Sequence, residues 1–190
     1  MPNQFIYDCA VWLGATEWSK LLHESYYMYS WVETTHVLSL ILSLGILFFI
    51  DLRILGLALP QVRATIIVKR LQIPMFIGFF VMIGTGVLLF YAVPVRTTQS
   101  IWFRTKLFLL LCAGINALIF HHHMKRSAGD WDNGPSAPRG MRFSAALSLL
   151  FWTLVVIFGR LIAYDWYDCS RGYSGFISEL AGCVEGQTQY

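Results

Sequence analysis

From Val37 to Ile50 the chain is free of charged residues, and polar residues close the run at both ends: Glu33 and His36 before it, Asp51 and Arg53 after it. A helix of about 20 apolar residues crosses the hydrocarbon of a bilayer, so the pattern predicts a membrane span over residues 31–57. Later runs of the same character predict spans over 73–93, 101–124 and 142–164. The first span is not apolar all round. On a helix, His36, Ser39, Ser43 and Asp51 fall within roughly a third of the circumference, while Leu38 and Gly45 lie on other sides. Lipid cannot satisfy such a seam, so it faces protein, water or a cofactor.

Residues 1–30 are too polar to span, because Asp8, Glu17, Lys20 and Glu24 interrupt them. They are rich in Trp12, Trp18, Tyr26, Tyr27 and Tyr29, the residue types that collect at the headgroup level. We expect two short interfacial helices here, the second capped by Thr16. In the second span Gly78, Met82, Thr85, Gly86 and Leu89 share a face, and the small residues permit close approach of a neighbouring helix. Residues 57–71, with Pro60, read as a loop or surface helix. Pro94 and Arg96 mark a short turn, and the glycines and prolines of 125–142 mark a loop. The tail, 165–190, is polar, with Phe176, Ile177, Leu180 and Val184 spaced for a short amphipathic helix. The expected fold is all-α: an integral membrane four-helix bundle (31–164), preceded by an interfacial N-terminal segment (1–30) and followed by a short extracytoplasmic tail (165–190).

Composition narrows the class further. Of 190 residues, 56% are hydrophobic and only 13% are charged, against about a quarter charged in soluble domains. One membrane domain is the economical reading. The first basic residue is Lys20, so the N-terminus lacks the basic region expected of a secretory signal peptide. The net charge of +3 does not form a phosphate footprint: Lys and Arg sit at span ends and in loops, and no nucleic-acid module is present. Their distribution does set an orientation. Arg53, Arg63, Lys69, Arg70, Lys125, Arg126, Arg139 and Arg142 share the side of the first and third loops. Asp8, Glu17, Glu24, Glu33, Asp165, Asp168, Glu179 and Glu185 gather with the termini on the other. A basic bias toward the cytoplasm then puts both termini outside, in the inner membrane of a bacterium. Cys9, Cys169 and Cys183 lie on that outer side, where disulfides persist. Cys169 with Cys183 is the favoured pair and Cys9 the competitor, since spacing does not fix connectivity. Cys112 lies mid-span and reads as a packing residue.

Three stretches carry a family likeness: WVETTHVLSLILSLGILFFIDLRILGL (31–57), GTGVLLF (84–90) and FRTKLFLLLCAGINALIFHHH (103–123). Through them, residues 30–125 resemble a family of small bacterial four-span inner-membrane proteins without an assigned function. The positions that match the family pattern are His36, Asp51, Arg53, Gly84, Gly86, Lys106, Asn116 and His121. The helix count and histidines are also loosely similar to membrane cytochromes b, a likeness of architecture only.

That likeness raises haem b. Two imidazoles on one haem must share a membrane depth. His36 lies near the outer end of its span and His121 near the inner end of the third, so their depths differ by roughly 20 Å at the helical rise. One haem cannot bridge them. A second ligand at each level would have to be His23 or Met28 outside, and Met75 or another histidine of 121–123 inside. The bland alternatives are a His36 bonded to a neighbouring Ser or Glu33, and a histidine cap on a helix C-terminus. Asp51 and Arg53 are two apart and do not face each other. Asp51 is expected to pair with a basic residue of another span or loop, and Arg53 to anchor the cytoplasmic end. At the outer level His36, Arg104, Lys106 and Arg160 occupy similar depths. Such a set suits a quinone carbonyl, haem propionates or a lipid phosphate; the alternative is snorkelling to headgroups.

The candidate cofactor-binding residues are therefore His36, Lys106, Arg104, Arg160 and His121, with no catalytic or metal-ligating set. Nucleotide motifs and paired intramembrane carboxylates are lacking. The expected function is that of a non-catalytic subunit or anchor of a larger membrane assembly, with a redox complex as one setting. Its partners are lipid and other membrane subunits or further copies of itself. A haem b or quinone carrier is the alternative. A small transporter is a third reading, weakened by the lack of a broken span or a mid-membrane acid.

Overall fold

The computed structural model describes residues 2–59, 61–127, 137–164, 169 and 175–187, and among them no strand occurs. The helices are α1 (Pro2–Gly14), α2 (Glu17–Glu24), α3 (Tyr26–Leu55), α4 (Ala64–Ala92), α5 (Pro94–Thr98), α6 (Ile101–Ser127), α7 (Arg139–Ala163) and α8 (Phe176–Ala181). Four of them, α3, α4, α6 and α7, are long and apolar enough to cross a membrane. They correspond to the spans expected from sequence, with shifted ends. Helix α3 begins at Tyr26, so the tyrosines assigned to an interfacial segment lie on the first turns of this long helix. Helix α4 begins at Ala64 and runs through Pro74; the basic residues Lys69 and Arg70 therefore sit on its early turns and not in a loop. Proline is tolerated inside long apolar helices when neighbours take up the freed carbonyl.

Local chemistry fixes the ends. The Thr16 side chain accepts from the Ser19 amide and caps α2, as expected. Pro94, with its fixed φ, opens α5. Gly56 (φ 82°) ends α3: its amide reaches Arg53 O at 3.0 Å while that of Leu57 reaches Leu52 O at 2.9 Å. This paired 5→2 and 6→1 closure needs a left-handed residue, which glycine adopts freely. Helix α8 ends in the same way at Gly182 (φ 84°), with Cys183 as the residue whose amide closes the turn on Ser178 O. Cys183 is disulfide-bonded to Cys169, while Cys9 and Cys112 are free.

The chain forms two compact units, and each of the four long helices contributes a segment to both. Unit 1 comprises residues 1–36, 83–107 and 156–190. Its core joins Tyr7 and Ala10 of α1 to Val95 of α5, with Val184 packed on them. Ser19 Oγ donates to Tyr91 O at 2.7 Å and ties α2 to the end of α4. Phe90 stacks on Phe103 and Trp102 tilts against Phe158, with ring centroids 5.6 and 5.5 Å apart. The tail docks through a reciprocal amide pair: Gln99 Nε2 donates to Gln187 Oε1 at 2.7 Å, and Gln187 Nε2 donates back to Gln99 Oε1 at 3.2 Å.

Unit 2 comprises residues 37–82 and 108–155. Its core is Ile50 and Ile54 of α3, Ala64 and Ile67 of α4, Ala137, and Met141 and Ala145 of α7. Phe79 of α4 meets Trp152 of α7 with ring centroids at 5.2 Å. Higher up α4, Gly78 lies against Ser43 and Ser39 of α3. A Cβ added there would stand 3.1 Å from Ser43 Cβ, 3.2 Å from Ser43 N and 3.3 Å from Ser39 O. The small residue is therefore what lets the two backbones approach.

Candidate functional site

The polar seam of α3 is turned into protein. Ser39, Ser43 and Asp51 are buried, and His36 is half-buried. In unit 1 its imidazole Nδ1 is 3.0 Å from Thr85 Oγ1 of α4. The ring lies on Gly86, where an added Cβ would be 3.3 Å from His36 Cε1. Gly78 and Gly86 thus both mark contacts of α4 with α3, as their shared face suggests.

Lys106, half-buried on α6, lies along Gly159 of α7; a Cβ at Gly159 would be 3.3 Å from Lys106 Nζ. No hydrogen bond or ion pair to Lys106 is found among the described residues. The contacts described for His36 are to α4 and those for Lys106 are to α7. Arg160 follows Gly159 on α7. It is exposed, donates from Nη2 to Tyr164 OH at 2.5 Å, and holds its guanidinium 4.7 Å from the centre of the Tyr164 ring. Such a pairing draws the cation onto the aromatic face.

Arg104 is the most engaged of the set. Nε donates to Thr98 O at 3.1 Å, and Nη1 donates to Asn3 Oδ1 at 3.3 Å and to Leu180 O at 3.2 Å. One side chain thereby holds α1, α5 and α8 together. Its guanidinium fills the space a side chain at Gly182 would need, so the left-handed turn and the clasp both require glycine there. His121 belongs to unit 2 and is exposed, as are His122 and His123, whose rings meet edge to face at 6.4 Å. Among the described residues no group of three or more His, Cys, Asp or Glu side chains could hold a metal ion. Ala113 is buried and Ala117 is exposed.

Unit 2 holds polar chemistry that spacing on a single helix does not reveal. Asn116 Nδ2 donates to Ser144 O at 2.9 Å, and Ser144 Oγ donates to Asn116 Oδ1 at 2.8 Å, both buried. One helical turn along α7, buried Ser148 lies near the Asp51 carboxylate. The carboxylate oxygen Oδ2 is buried without a hydrogen-bond partner among the described residues. Asp51 was expected to pair with a basic residue; no such pair is found among the described residues. Arg53 was expected to anchor the cytoplasmic end of the span; it is buried, 1% exposed. Its Nε donates to Val62 O at 2.6 Å and holds the turn in which Leu59 adopts a left-handed φ of 41°. A buried guanidinium bonded to a carbonyl outlasts a headgroup contact because its donors have no competing water.

By fold and by the apolarity of its four long helices, the chain falls in the class of multi-pass helical membrane proteins. Within that class, residues 19–165 match the model of a family of unknown function, DUF6644, and the chain belongs to that family. No curated protein and no solved structure matches the chain.

Proposed function

We propose that the protein is a non-catalytic subunit or anchor of a larger assembly in the bacterial inner membrane, with a four-helix bundle in the bilayer and both termini outside. The observation that carries this reading is how the polar side chains are used. His36 is bonded to α4, Arg104 clasps the terminal helices, and Asn116 joins α6 to α7. Large apolar side chains meanwhile point outward: Phe5, Trp12, Trp18, Tyr26 and Trp31 in unit 1 are each at least 70% exposed. Aromatic side chains of this kind serve lipid headgroups and protein partners equally well. The decisive experiment is native gel electrophoresis with cross-linking mass spectrometry after mild detergent extraction. The expected result is a complex larger than the chain, cross-linked through α1 and α2. A monodisperse monomer with a bound chromophore would refute it.

Lys106 favours a second reading. Its ammonium reaches Gly159 and has no bonding partner among the described residues, which leaves donors for an anionic or quinone-like headgroup. In that case quinone, lipid or haem co-purifies, and Lys106→Met loses it while the fold survives. A reduced-minus-oxidised spectrum with Soret and alpha bands would single out haem b.

A further inference from the structure

Helix α8 is six residues long and buries little of itself. Ala181 is buried, while Phe176, Ile177 and Leu180 are exposed; beyond the helix, Val184 packs on Tyr7, Ala10 and Val95. A helix this short does not persist alone in water, so its attachments keep it in place. They gather at its C-terminal end, where carbonyls lack helical partners. Asn3 Nδ2 donates to Glu179 O at 3.1 Å, Arg104 Nη1 to Leu180 O at 3.2 Å and Gln99 Nε2 to Gly182 O at 3.4 Å. Gln187, paired with Gln99, also accepts from the Val184 amide at 3.0 Å. Hydrogen bonds that exchange with water on release each hold only weakly. A covalent tie is added by the disulfide, which joins Cys183, the residue that closes the α8 turn, to Cys169 in the segment after α7. Such a tether limits the freedom that the chain gains on undocking. Neither cysteine is buried, and access is what lets a disulfide exchange with thiols in solution.

We propose that α8 is a redox-controlled strap: the Cys169–Cys183 disulfide keeps it docked on α1, Gln99 and α6, and reduction of that bond releases it. A thiolate of a dithiol reductant attacks one sulfur and expels the other as a thiolate. The reductant's second thiol then displaces the protein from the mixed disulfide. The protein gains two electrons and two protons as the thiols of Cys169 and Cys183, and the reductant leaves as its own disulfide. Release uncovers Gln99, 5% exposed while the strap is docked, and the apolar patch of Tyr7, Ala10 and Val95 beneath Val184. Arg104 gives up Leu180 O and keeps Thr98 O and Asn3 Oδ1. The strap acts whatever assembly the chain joins.

The test follows the full chain in detergent, oxidised and after treatment with dithiothreitol. Alkylation read by mass spectrometry should find Cys169 and Cys183 modified only after reduction. A protease that cuts after glutamate reports the strap, because Glu179 and Glu185 lie in it. Cleavage there should run about tenfold faster in the reduced chain, since it follows the population of the undocked state. Modification of Arg104 by phenylglyoxal should rise in parallel, and reoxidation should restore both protections. Cys183→Ser should behave as the reduced chain without reductant; should that variant fail to fold, the reduced wild type still decides. The circular dichroism of the four long helices should stay constant throughout. Three results overturn the proposal: a disulfide that resists dithiothreitol in the folded chain, tail cleavage unchanged by reduction, or loss of the long helices on reduction, which would make the bond a staple of the whole fold.

Discussion

Replacing Gly78 by alanine adds one methyl group at the closest approach of α4 to α3. That methyl would meet Ser43 Cβ at 3.1 Å, Ser43 N at 3.2 Å and Ser39 O at 3.3 Å, where carbon contacts normally settle near about 3.5–4.0 Å. Two of the three obstructing atoms are backbone and the third is a Cβ, so no rotamer change relieves the overlap; the helices must separate by a few tenths of an ångström. Overpacking of this kind costs about 1–3 kcal/mol. Alanine regains about 1 kcal/mol of helix propensity over glycine. With rigid atoms on every side the strain falls in the upper part of its range, which leaves a net loss of about 1–2 kcal/mol. At about 2–4 °C per kcal/mol for a chain of this size, thermal unfolding in detergent should shift down by about 2–8 °C. Gly84→Ala on the same helix is the internal control, since nothing lies within 4 Å of its added Cβ. It should keep the propensity gain and melt at or slightly above wild type. Ser43→Gly in the Gly78→Ala background removes the nearest contact and should restore part of the loss, whereas Ser43→Ala should not. Equal melting temperatures for the Gly78 and Gly84 variants would refute the packing argument.

Asn116→Ala leaves Ser144 O and Oγ without their partner and should cost about 1–3 kcal/mol; a double-mutant cycle with Ser144→Ala, read by thermal melts, should show the two losses strongly non-additive. Arg104→Met should release α8 and α1 from α5 and speed limited proteolysis of the tail, while the four long helices keep their circular dichroism. His36→Ala removes the bond to Thr85 and opens space over Gly86, so it should lower the melting temperature without changing the co-purifying lipids; loss of a bound quinone or haem instead would move His36 into a ligand site. For the proposed orientation, an impermeant maleimide should label native Cys9 in intact cells. A cysteine placed at Gln61 in a Cys9→Ala background should label only after permeabilisation, and the reverse pattern would invert the topology.

Much of the helical plan was legible in the chain, because hydropathy and turn chemistry act locally. Runs of uncharged apolar residues located α3, α4, α6 and α7. Thr16 announced the start of α2, and Cys169 with Cys183, the pair favoured over Cys9 though not fixed by spacing, is the one the structure joins. The small-residue face of α4 also read correctly, since Gly78 and Gly86 recur at helical spacing and both meet α3. Helix ends were less legible: the start of α4 lies before Pro74, where proline suggests a boundary that the surrounding packing overrides.

Partnerships were a different matter. Periodicity showed that Ser39, Ser43 and Asp51 share a face, but not that Ser148 of α7 would lie near Asp51. Arg104 looked like a snorkelling cation; only the folding of α1 and α8 onto α5 supplied the oxygens of Asn3 and Leu180 that hold it. Arg53 looked like a cytoplasmic anchor, and only the turn after Gly56 brought Val62 O to its Nε. Asn116 and Ser144 are polar residues in separate apolar runs, and neither run indicates the other. The reason is one of range. The sequence determines which side chains a helix presents on each face, because that depends on 3.6 residues per turn. Which face meets which, and therefore which donor finds which acceptor, is decided by the packing of distant segments, since a short polar side chain bonds only to what the tertiary fold brings within about 3 Å.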